Sequence, residues 1–346
     1  MIRFNNDYSR GAHPRILNAL AQTNTQSYGG YGLDEWCDKA QVEIKKYVGE
    51  SADIHFLVGG TQTNVTVICA CLRPFESVIS AKSGHINVHE TGAVEHAGYK
   101  ITALEHTNGK ICASQIDALM QEYEQSDIKE HIVTPKMVYI SQSTEYGTVY
   151  TLAELEQIHN VCKRYGLYLF VDGARLGYAC AVSDVTLADL SRLCDVFYIG
   201  GTKCGALFGE AVVITNDSLK PYFRSYIKQN GAMLAKGWLI GLQFYTLFCD
   251  GLYFEITKSA VDKAKALKQA FAVAGIPSYI DSDTNQQFVV LENWLMDALS
   301  KKYLFEFETK IDDLHSCVRF CTAWYTEQSD INELINDIFT LIENRK

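Results

Sequence analysis

Short apolar runs alternate with amphipathic segments along the first part of the chain. The apolar runs predict strands over residues 53–58, 77–81, 99–104, 137–141, 167–172 and 196–200. Between them, apolar residues at helical spacing predict helices over 33–48, 61–72 and 152–165. Strands that alternate with helices build a mostly parallel sheet with helices on both faces, so an α/β, doubly wound fold is expected.

The pattern changes after Gly237. A long helical stretch covers 238–275, and the remaining strands are predicted within 287–292, 304–309 and 317–324. A last helix follows, with Ser329 or Asp330 as its N-cap. This order predicts a smaller C-terminal α+β domain. No Pro-rich or Ser-rich linker marks the boundary, and we place it between a large domain, 1–245, and a small domain, 246–346.

Composition and charge exclude several classes of protein. The 346 residues are 47% hydrophobic, enough for a large core, and carry a formal net charge of -10. No block of Lys and Arg could follow a phosphate backbone, so nucleic acid is not an expected partner. No apolar run reaches the length of a membrane span, and the first residues contain no apolar leader. We therefore expect a cytoplasmic protein without membrane contact.

The cysteines predict neither disulfides nor a metal site. The chain has 11 cysteines, scattered and without a CxxC pair, which is typical of reduced thiols. The segment "HSCVRFC" supplies only three potential zinc ligands, His315, Cys317 and Cys321, whereas a structural zinc site needs four ligands.

Polar residues follow three of the predicted strands at their carboxyl ends, where ligands of open α/β sheets bind. Gly60 and Thr61 begin a helix whose free N–H groups suit a phosphate. Asp172 ends an apolar strand and requires a cationic partner, which is either the nearby Arg175 or a ligand. Lys203 follows the next strand among glycines. A cofactor with a phosphate, a basic ring nitrogen and an aldehyde would satisfy all three positions.

Ordered motifs support such a cofactor. The segments "YGGYGLDE", "GGTQTN", "SGHINVHETGA", "VDGARLG", "GGTKCG" and "CVRFCT" together resemble the signature segments of the L-threonine aldolase family, within the fold-type I aminotransferase superfamily. The resemblance covers nearly the whole chain. It implies a fold-type I transferase-like fold and pyridoxal 5'-phosphate as cofactor.

The resemblance also implies roles for residues around the cofactor ring. Lys203 matches the lysine that bonds to the cofactor aldehyde, and Asp172 matches the carboxylate that keeps the ring nitrogen protonated. Arg175 matches an arginine that helps to hold the cofactor. His85 matches a histidine that stacks on the ring, and the alternative is a histidine of the core or surface.

Further matches concern the phosphate. Gly60 and Thr61 match the turn that binds it, and Thr202 is a weaker candidate for another contact. The phosphate-side arginine of the relatives has no obvious counterpart here. Lys228 is the candidate to replace it, from its own or a neighbouring subunit.

Three residues are candidates for binding the substrate. Strand alternation places Cys317, Arg319 and Cys321 on one face, so the arginine has room to extend between two small thiols. The resemblance implies that Arg319 binds the substrate α-carboxylate, a geometry that suits a guanidinium fork. Asn6 stands where relatives have a serine near that carboxylate, and Tyr31 matches a tyrosine close to the site.

One position departs from the family pattern. Relatives have a histidine, which contacts the substrate hydroxyl, where this chain has Glu145 in "SQSTEYGT". Glu145 is therefore a candidate base for the β-hydroxyl proton. Water, the cofactor phosphate, His85 and Glu90 are the alternatives.

These matches imply an aldolase that cleaves L-threonine, L-allo-threonine and related β-hydroxy-α-amino acids to glycine and an aldehyde. A β-eliminating lyase or an aminotransferase would share Lys203, Asp172 and Arg319, and a catalytically silent cofactor-binding protein would share them too. A nicotinamide-dependent dehydrogenase is disfavoured because no GxGxxG follows a strand. The resemblance further implies a homodimer or homotetramer with its sites at the dimer interface.

Overall fold

A computed structural model, which describes residues 1–345, shows a mixed α/β protein with three sheets. The strands are β1 (Ile2–Arg3), β2 (Asp53–Leu57), β3 (Glu76–Ala81), β4 (Lys100–Leu104), β5 (Thr134–Ser141), β6 (Tyr168–Asp172), β7 (Val196–Gly200), β8 (Glu210–Ile214), β9 (Ser278–Ile280), β10 (Gln286–Glu292), β11 (Tyr303–Leu304), β12 (Glu306–Lys310) and β13 (His315–Cys321). The α-helices are α1 (Pro14–Thr23), α2 (Glu35–Val48), α3 (Gly60–Cys71), α4 (His85–Val88), α5 (Ala93–His96), α6 (Ala113–Gln125), α7 (Leu152–Tyr165), α8 (Leu176–Cys180), α9 (Leu187–Leu193), α10 (Phe223–Gln229), α11 (Trp238–Phe248), α12 (Leu252–Val273), α13 (Asn293–Ser300) and α14 (Gln328–Glu343).

The large sheet has seven strands in the order β2-β8-β7-β6-β5-β3-β4. The strands β3 to β7 are parallel to one another, whereas β8 is antiparallel to both of its neighbours, β2 and β7. All of the strands predicted before residue 201 are present. The segment of β8 was missed, because it follows β7 through a glycine-rich turn with no helix between them. The mostly parallel, doubly wound sheet is confirmed.

The second sheet is antiparallel, in the order β12-β13-β10-β9, and lies in the C-terminal part of the chain. The predicted helical stretch 238–275 is two helices, α11 and α12, separated at Gly251, whose φ is 78°. Helix α14 begins at Gln328 with Glu327 as its N-cap, so the predicted cap at Ser329 or Asp330 is wrong by two or three residues. The helix therefore begins slightly earlier than its apolar pattern indicates.

The core consists of apolar side chains from both faces of the large sheet and from the helices that cover them. A separate cluster lies under the second sheet, and Phe4 from the start of the chain belongs to it. The first strand, β1, pairs in parallel with β11 of the C-terminal part. The division into domains at 245/246 falls within α11 and stays a prediction.

No helix within residues 1–345 combines the length and the apolar character that crossing a membrane requires. All eleven cysteines are free thiols.

Candidate active site

Two adjoining cavities lie at the carboxyl ends of the central parallel strands, where the topology of the sheet places a ligand. The inner cavity is about 320 Å³ and the outer one about 830 Å³. The residues that line both are Tyr8, His85, Glu145, Arg175 and Lys203. The inner cavity adds Gly60, Thr61, Asp172 and Thr202, and the outer one adds Arg319. Residues far apart in sequence therefore meet at these two cavities.

Asp172 ends β6 and is 4% exposed. Its carboxylate accepts hydrogen bonds from the hydroxyls of Tyr139 (2.6 Å) and Tyr198, from Asn64 Nδ2 (3.1 Å) and from the backbone N–H of Ala174 (3.0 Å). Burial raises the pKa of this carboxyl, but the charge of His85 and the two tyrosine hydroxyls outweigh burial and hold it below its usual value. Asp172 is therefore an ionised carboxylate at the base of the inner cavity.

Lys203 lies in the turn after β7. Burial and the charge of Arg175 lower the pKa of its ammonium, although the carboxylates of Asp7, Asp172 and Glu210 oppose this. Burial in turn raises the pKa of Glu210, which accepts hydrogen bonds from Thr202 Oγ1 (2.7 Å) and the backbone N–H of Gly201. A lysine with a lowered pKa supplies more of the neutral, nucleophilic amine near neutral pH.

Arg175 does not pair with Asp172. Its Nε and Nη2 donate to the two carboxylate oxygens of Asp7, at 2.8 Å and 3.1 Å. Asp7 is fully buried and also accepts from Asn285 Nδ2 at 3.0 Å. The Asp172–Arg175 pair that the spacing allows is therefore wrong, because a fixed bidentate partner comes from the N-terminal segment.

His85 begins α4 and lines both cavities. Its Nδ1 lies 2.7 Å from Glu90 Oε1, and Asn64 Nδ2 donates to the same oxygen at 2.8 Å. Asn64 thus bridges Glu90 and Asp172. The carboxylate of Glu90 fixes the orientation of the imidazole and leaves Nε2 for another contact.

Glu145 lies on the loop after β5, at the junction of the two cavities. Its Oε1 accepts from the backbone N–H of His85 (2.9 Å) and from Ser141 Oγ (2.8 Å). Burial raises the pKa of Glu145 despite these hydrogen bonds. Because both bonds end on Oε1, Oε2 remains as an acceptor for a third donor.

The turn at Gly60 lies at the N-terminus of α3 and lines the inner cavity. The first N–H groups of a helix have no intrahelical partner and suit an anion. A Cβ at Gly60 would come within 3.2 Å of the hydroxyl of Tyr198, so a side chain there would crowd the cavity. The Thr202 hydroxyl already donates its proton to Glu210, so it has no second proton to donate to a phosphate oxygen.

Arg319 of β13 lines the outer cavity. Its Nη2 donates to the backbone oxygen of Asn5 at 3.3 Å, and its buried Nε has no partner within residues 1–345. Asn6 lines neither cavity, and its Oδ1 accepts from Tyr8 N (3.1 Å) and Ser9 Oγ (2.7 Å) in its own turn. In the described chain, Asn6 shapes the loop beside the site.

Tyr31 and Lys228 lie outside both cavities. Lys228 Nζ is 5.0 Å from the centre of the Tyr31 ring, and Tyr31 is 47% exposed. These two predicted site residues are together on the surface, and their roles stay predictions.

Several residues of the site were missed by the sequence reasoning. These are the residues that hold the predicted ones: Asp7, Asn64, Tyr139, Tyr198, Glu210 and Asn285. The tyrosines left a signal, since each interrupts an apolar strand next to the strand of Asp172. Asp7 left none, because its partner is 168 residues away.

The site suits pyridoxal phosphate. The inner cavity combines an ionised carboxylate, a lysine with lowered pKa and a glycine turn at a helix N-terminus. It is also lined by Ser143, whose buried hydroxyl has no partner within residues 1–345. The carboxylate, the lysine and the glycine turn match the ring nitrogen, the aldehyde and the phosphate of the cofactor in one cavity. The Ser143 hydroxyl is a further polar group available to a ligand there.

Known proteins are similar to this chain in sequence and in fold. The family model described as Beta-eliminating lyase matches residues 11–294. The low specificity L-threonine aldolase of Pseudomonas sp. (strain NCIMB 10558) is 30% identical over 341 residues, which cover 97% of this chain and 96% of that protein.

Solved structures of other proteins have the same fold as this chain. The threonine aldolase of Leishmania major has a TM-score of 0.96 at 43% identity, over 99% of this chain and 100% of that one. A mutant aspartate aminotransferase of Thermus thermophilus shares the fold, with a TM-score of 0.69 at 13% identity, over 99% and 91% of the two chains. The chain therefore belongs to the β-eliminating lyase family and, within it, to the low-specificity L-threonine aldolases of the fold-type I pyridoxal-phosphate enzymes.

Proposed function

We propose that the protein cleaves L-threonine, L-allo-threonine and related β-hydroxy-α-amino acids to glycine and an aldehyde. The observation that carries this proposal is the meeting of Lys203, Asp172 and the Gly60 turn in one cavity that opens onto Arg319. The activity named for the Pseudomonas and Leishmania relatives supports it.

Pyridoxal phosphate, when bound, supplies an aldehyde that bonds to amines and a ring that takes up the electron pair of the broken bond. Asp172 would hold the proton on the ring nitrogen, because its own pKa is lowered and its carboxylate is fixed by four donors. Lys203 would provide the amine. The N–H groups of Gly60 and Thr61 would hold the phosphate.

Arg319 would bind the substrate α-carboxylate from the outer cavity. By fixing the carboxylate, Arg319 determines how the substituents of the α-carbon are oriented, and therefore which bond breaks. The unpartnered Nε of this side chain is one donor available for the carboxylate.

Glu145 is our choice for the base. The β-hydroxyl proton would pass to Glu145 Oε2 as the Cα–Cβ bond breaks, which releases the aldehyde. A proton delivered to the α-carbon then completes glycine, and Glu145 returns to the carboxylate form by losing the proton that it took. The raised pKa of Glu145 brings its basicity closer to neutral pH. His85 Nε2 is the main alternative among the side chains, whereas Glu90 is 6% exposed and lines neither cavity.

A β-eliminating lyase is the second candidate, because the matched family carries that description. Product analysis separates the two activities. The purified holoenzyme should convert L-threonine to glycine and acetaldehyde in equal amounts, measured with an alcohol-dehydrogenase coupled assay and amino-acid analysis. Release of ammonia and a 2-keto acid, without glycine, would instead establish the elimination, and transfer of the amino group to a keto acid would establish an aminotransferase.

The assembly is a further part of the proposal. We infer a homodimer or homotetramer in which Lys228 and Tyr31 serve the site of a neighbouring subunit, since both lie outside the cavities of their own chain. Mixing inactive Lys203→Ala and Lys228→Ala subunits should restore activity if each supplies what the other lacks. A fully active Lys228→Ala enzyme would contradict this role. The cytoplasmic location stays a prediction.

A further inference from the structure

Glu308 occupies an irregular position on the edge strand β12. Glu306 pairs with Arg319 and Phe307 with Val318, but the register then shifts and Thr309 pairs with Cys317. Glu308 is thus the extra residue of a β-bulge. Bulges next to active sites commonly re-aim a side chain, and here the bulge brings the Glu308 carboxylate to the guanidinium of the facing strand.

Glu308 Oε1 lies 3.4 Å from Arg319 Nη1. The side chains are 28% and 19% exposed, so this pair is more shielded than an ordinary surface ion pair. Both residues line the outer cavity, together with Glu306, Lys82 and His89. The arginine that would receive the substrate carboxylate therefore already has a carboxylate beside it.

We propose that Glu308 is a placeholder carboxylate that competes with the substrate α-carboxylate for Arg319 and so sets the affinity of the site for carboxylates. This inference rests on the proposed function, in which Arg319 binds the substrate. A simple carboxylic acid that enters the outer cavity must overcome the repulsion of Glu308 and gains only one contact with Arg319. An amino acid also gains a bond through its amine at the Lys203 end of the cavity. Glu308 thus lowers the affinity for both ligands by a similar factor, and only the amino acid, with its second bond, still binds at concentrations where a simple carboxylate leaves Arg319 free.

The test compares Glu308→Gln with wild-type holoenzyme, and Glu306→Gln is the matched control. Glu306 lies on the same strand and lines the same cavity, but only Glu308 forms the ion pair with Arg319. Binding of propionate, which has a carboxylate and no amine, and of ethanolamine, which has an amine and no carboxylate, is measured by calorimetry. The KM for L-threonine is measured in parallel.

Glu308→Gln should tighten propionate binding roughly three- to tenfold, the range expected for removing a partly shielded competing ion pair. The KM for threonine should fall by a similar factor, and ethanolamine binding should stay the same. Weaker propionate binding would overturn the proposal, since Glu308 would then be positioning Arg319 for the ligand. An equal effect of Glu306→Gln would overturn it as well, because the repulsion would then belong to the general field of the cavity.

Failure of the proposed function would be distinguishable from failure of this inference. If the wild-type enzyme does not cleave threonine, the proposed function is wrong, and calorimetry with propionate still measures the competition. If it cleaves threonine but neither propionate affinity nor KM responds to Glu308→Gln, the placeholder role alone is wrong.

Discussion

Glu145→Gln removes the basic carboxylate at the junction of the two cavities and keeps the size and shape of the side chain. The amide oxygen of the glutamine can accept the hydrogen bonds that Glu145 Oε1 now receives from His85 N and Ser141 Oγ. Its amino group takes the place of Oε2 and cannot accept a proton. The variant should therefore keep the loop in place and lose only the base.

The expected loss is about two decades or more in kcat for threonine cleavage, the range of general-base catalysis. The wild-type rate should rise with pH as Glu145 ionises, at a pKa above the ordinary value of about 4.3, because burial raises it. The contribution of Glu145 to the stability of the folded wild-type protein should instead fall as the pH rises over this range. A carboxyl whose pKa is raised by folding destabilises the folded state as pH rises from about 4.3 through the raised pKa, so Glu145→Gln should gain stability relative to wild type over that interval.

The assay follows acetaldehyde release across a pH series, with thermal unfolding measured on the same samples. Exchange of the glycine α-proton with heavy water, followed by NMR, should continue at the wild-type rate because it involves no β-hydroxyl. Glu95→Gln is the control, since it makes the same chemical change at an exposed position of α5. If Glu145→Gln cleaves threonine within a few-fold of wild type, Glu145 is not the base, and His85, the phosphate or water takes that role.

Three other substitutions test the inner cavity. Lys203→Ala should abolish turnover while circular dichroism stays unchanged, and borohydride should no longer fix the cofactor to the chain; fixation at another lysine would refute the assignment. Asp172→Asn should lower the cleavage rate by about two to four decades, because a preorganised charge is lost, and near-normal activity would show that another group protonates the ring. Asp7→Asn should destabilise the protein by about 3–5 kcal/mol at pH 7, because Arg175 is left as a buried charge. Burial raises the pKa of Asp7, but Arg175, Lys203 and Asn285 together outweigh burial and lower it. This difference in denaturant-unfolding free energy should therefore shrink as pH falls below about 3.9, and a difference independent of pH would contradict the ion-pair explanation.

The sequence predicted the cavity because apolar runs mark strands and the sheet collects the ends of parallel strands at one edge. Asp172 and Lys203 each follow such a run, and the structure brings both to the inner cavity. The same logic placed Glu145 near them, on the loop after β5. Short-range patterns were sufficient here, since each residue is positioned by its own strand.

Contacts between distant segments could not be predicted. The partner of Arg175 is set by how the N-terminal segment passes over the sheet, and no local pattern records that path. The antiparallel strand β8 was also missed by the prediction. A short glycine-rich connection leads from β7 to β8, in place of the helix that the alternation of strands and helices predicts. Tyr31 and Lys228 show a third limit. Tyr31 was predicted from a motif and Lys228 as the replacement for a missing arginine, and both lie outside the two cavities of their own chain.

Phe4 is held by partners that are synthesised much later than Phe4 itself. The backbone N–H of Phe4 donates to Leu304 O at 2.7 Å, and Phe4 O accepts from Cys321 N at 2.6 Å. At a translation rate of about 5–20 residues per second, Phe4 waits roughly 15–60 s for these partners. Asp7, only three residues farther on, reaches Arg175 and Asn285 from this segment. The counter-ion of Arg175 therefore reaches its final position only after residues 304–321, which hold this segment, have been synthesised.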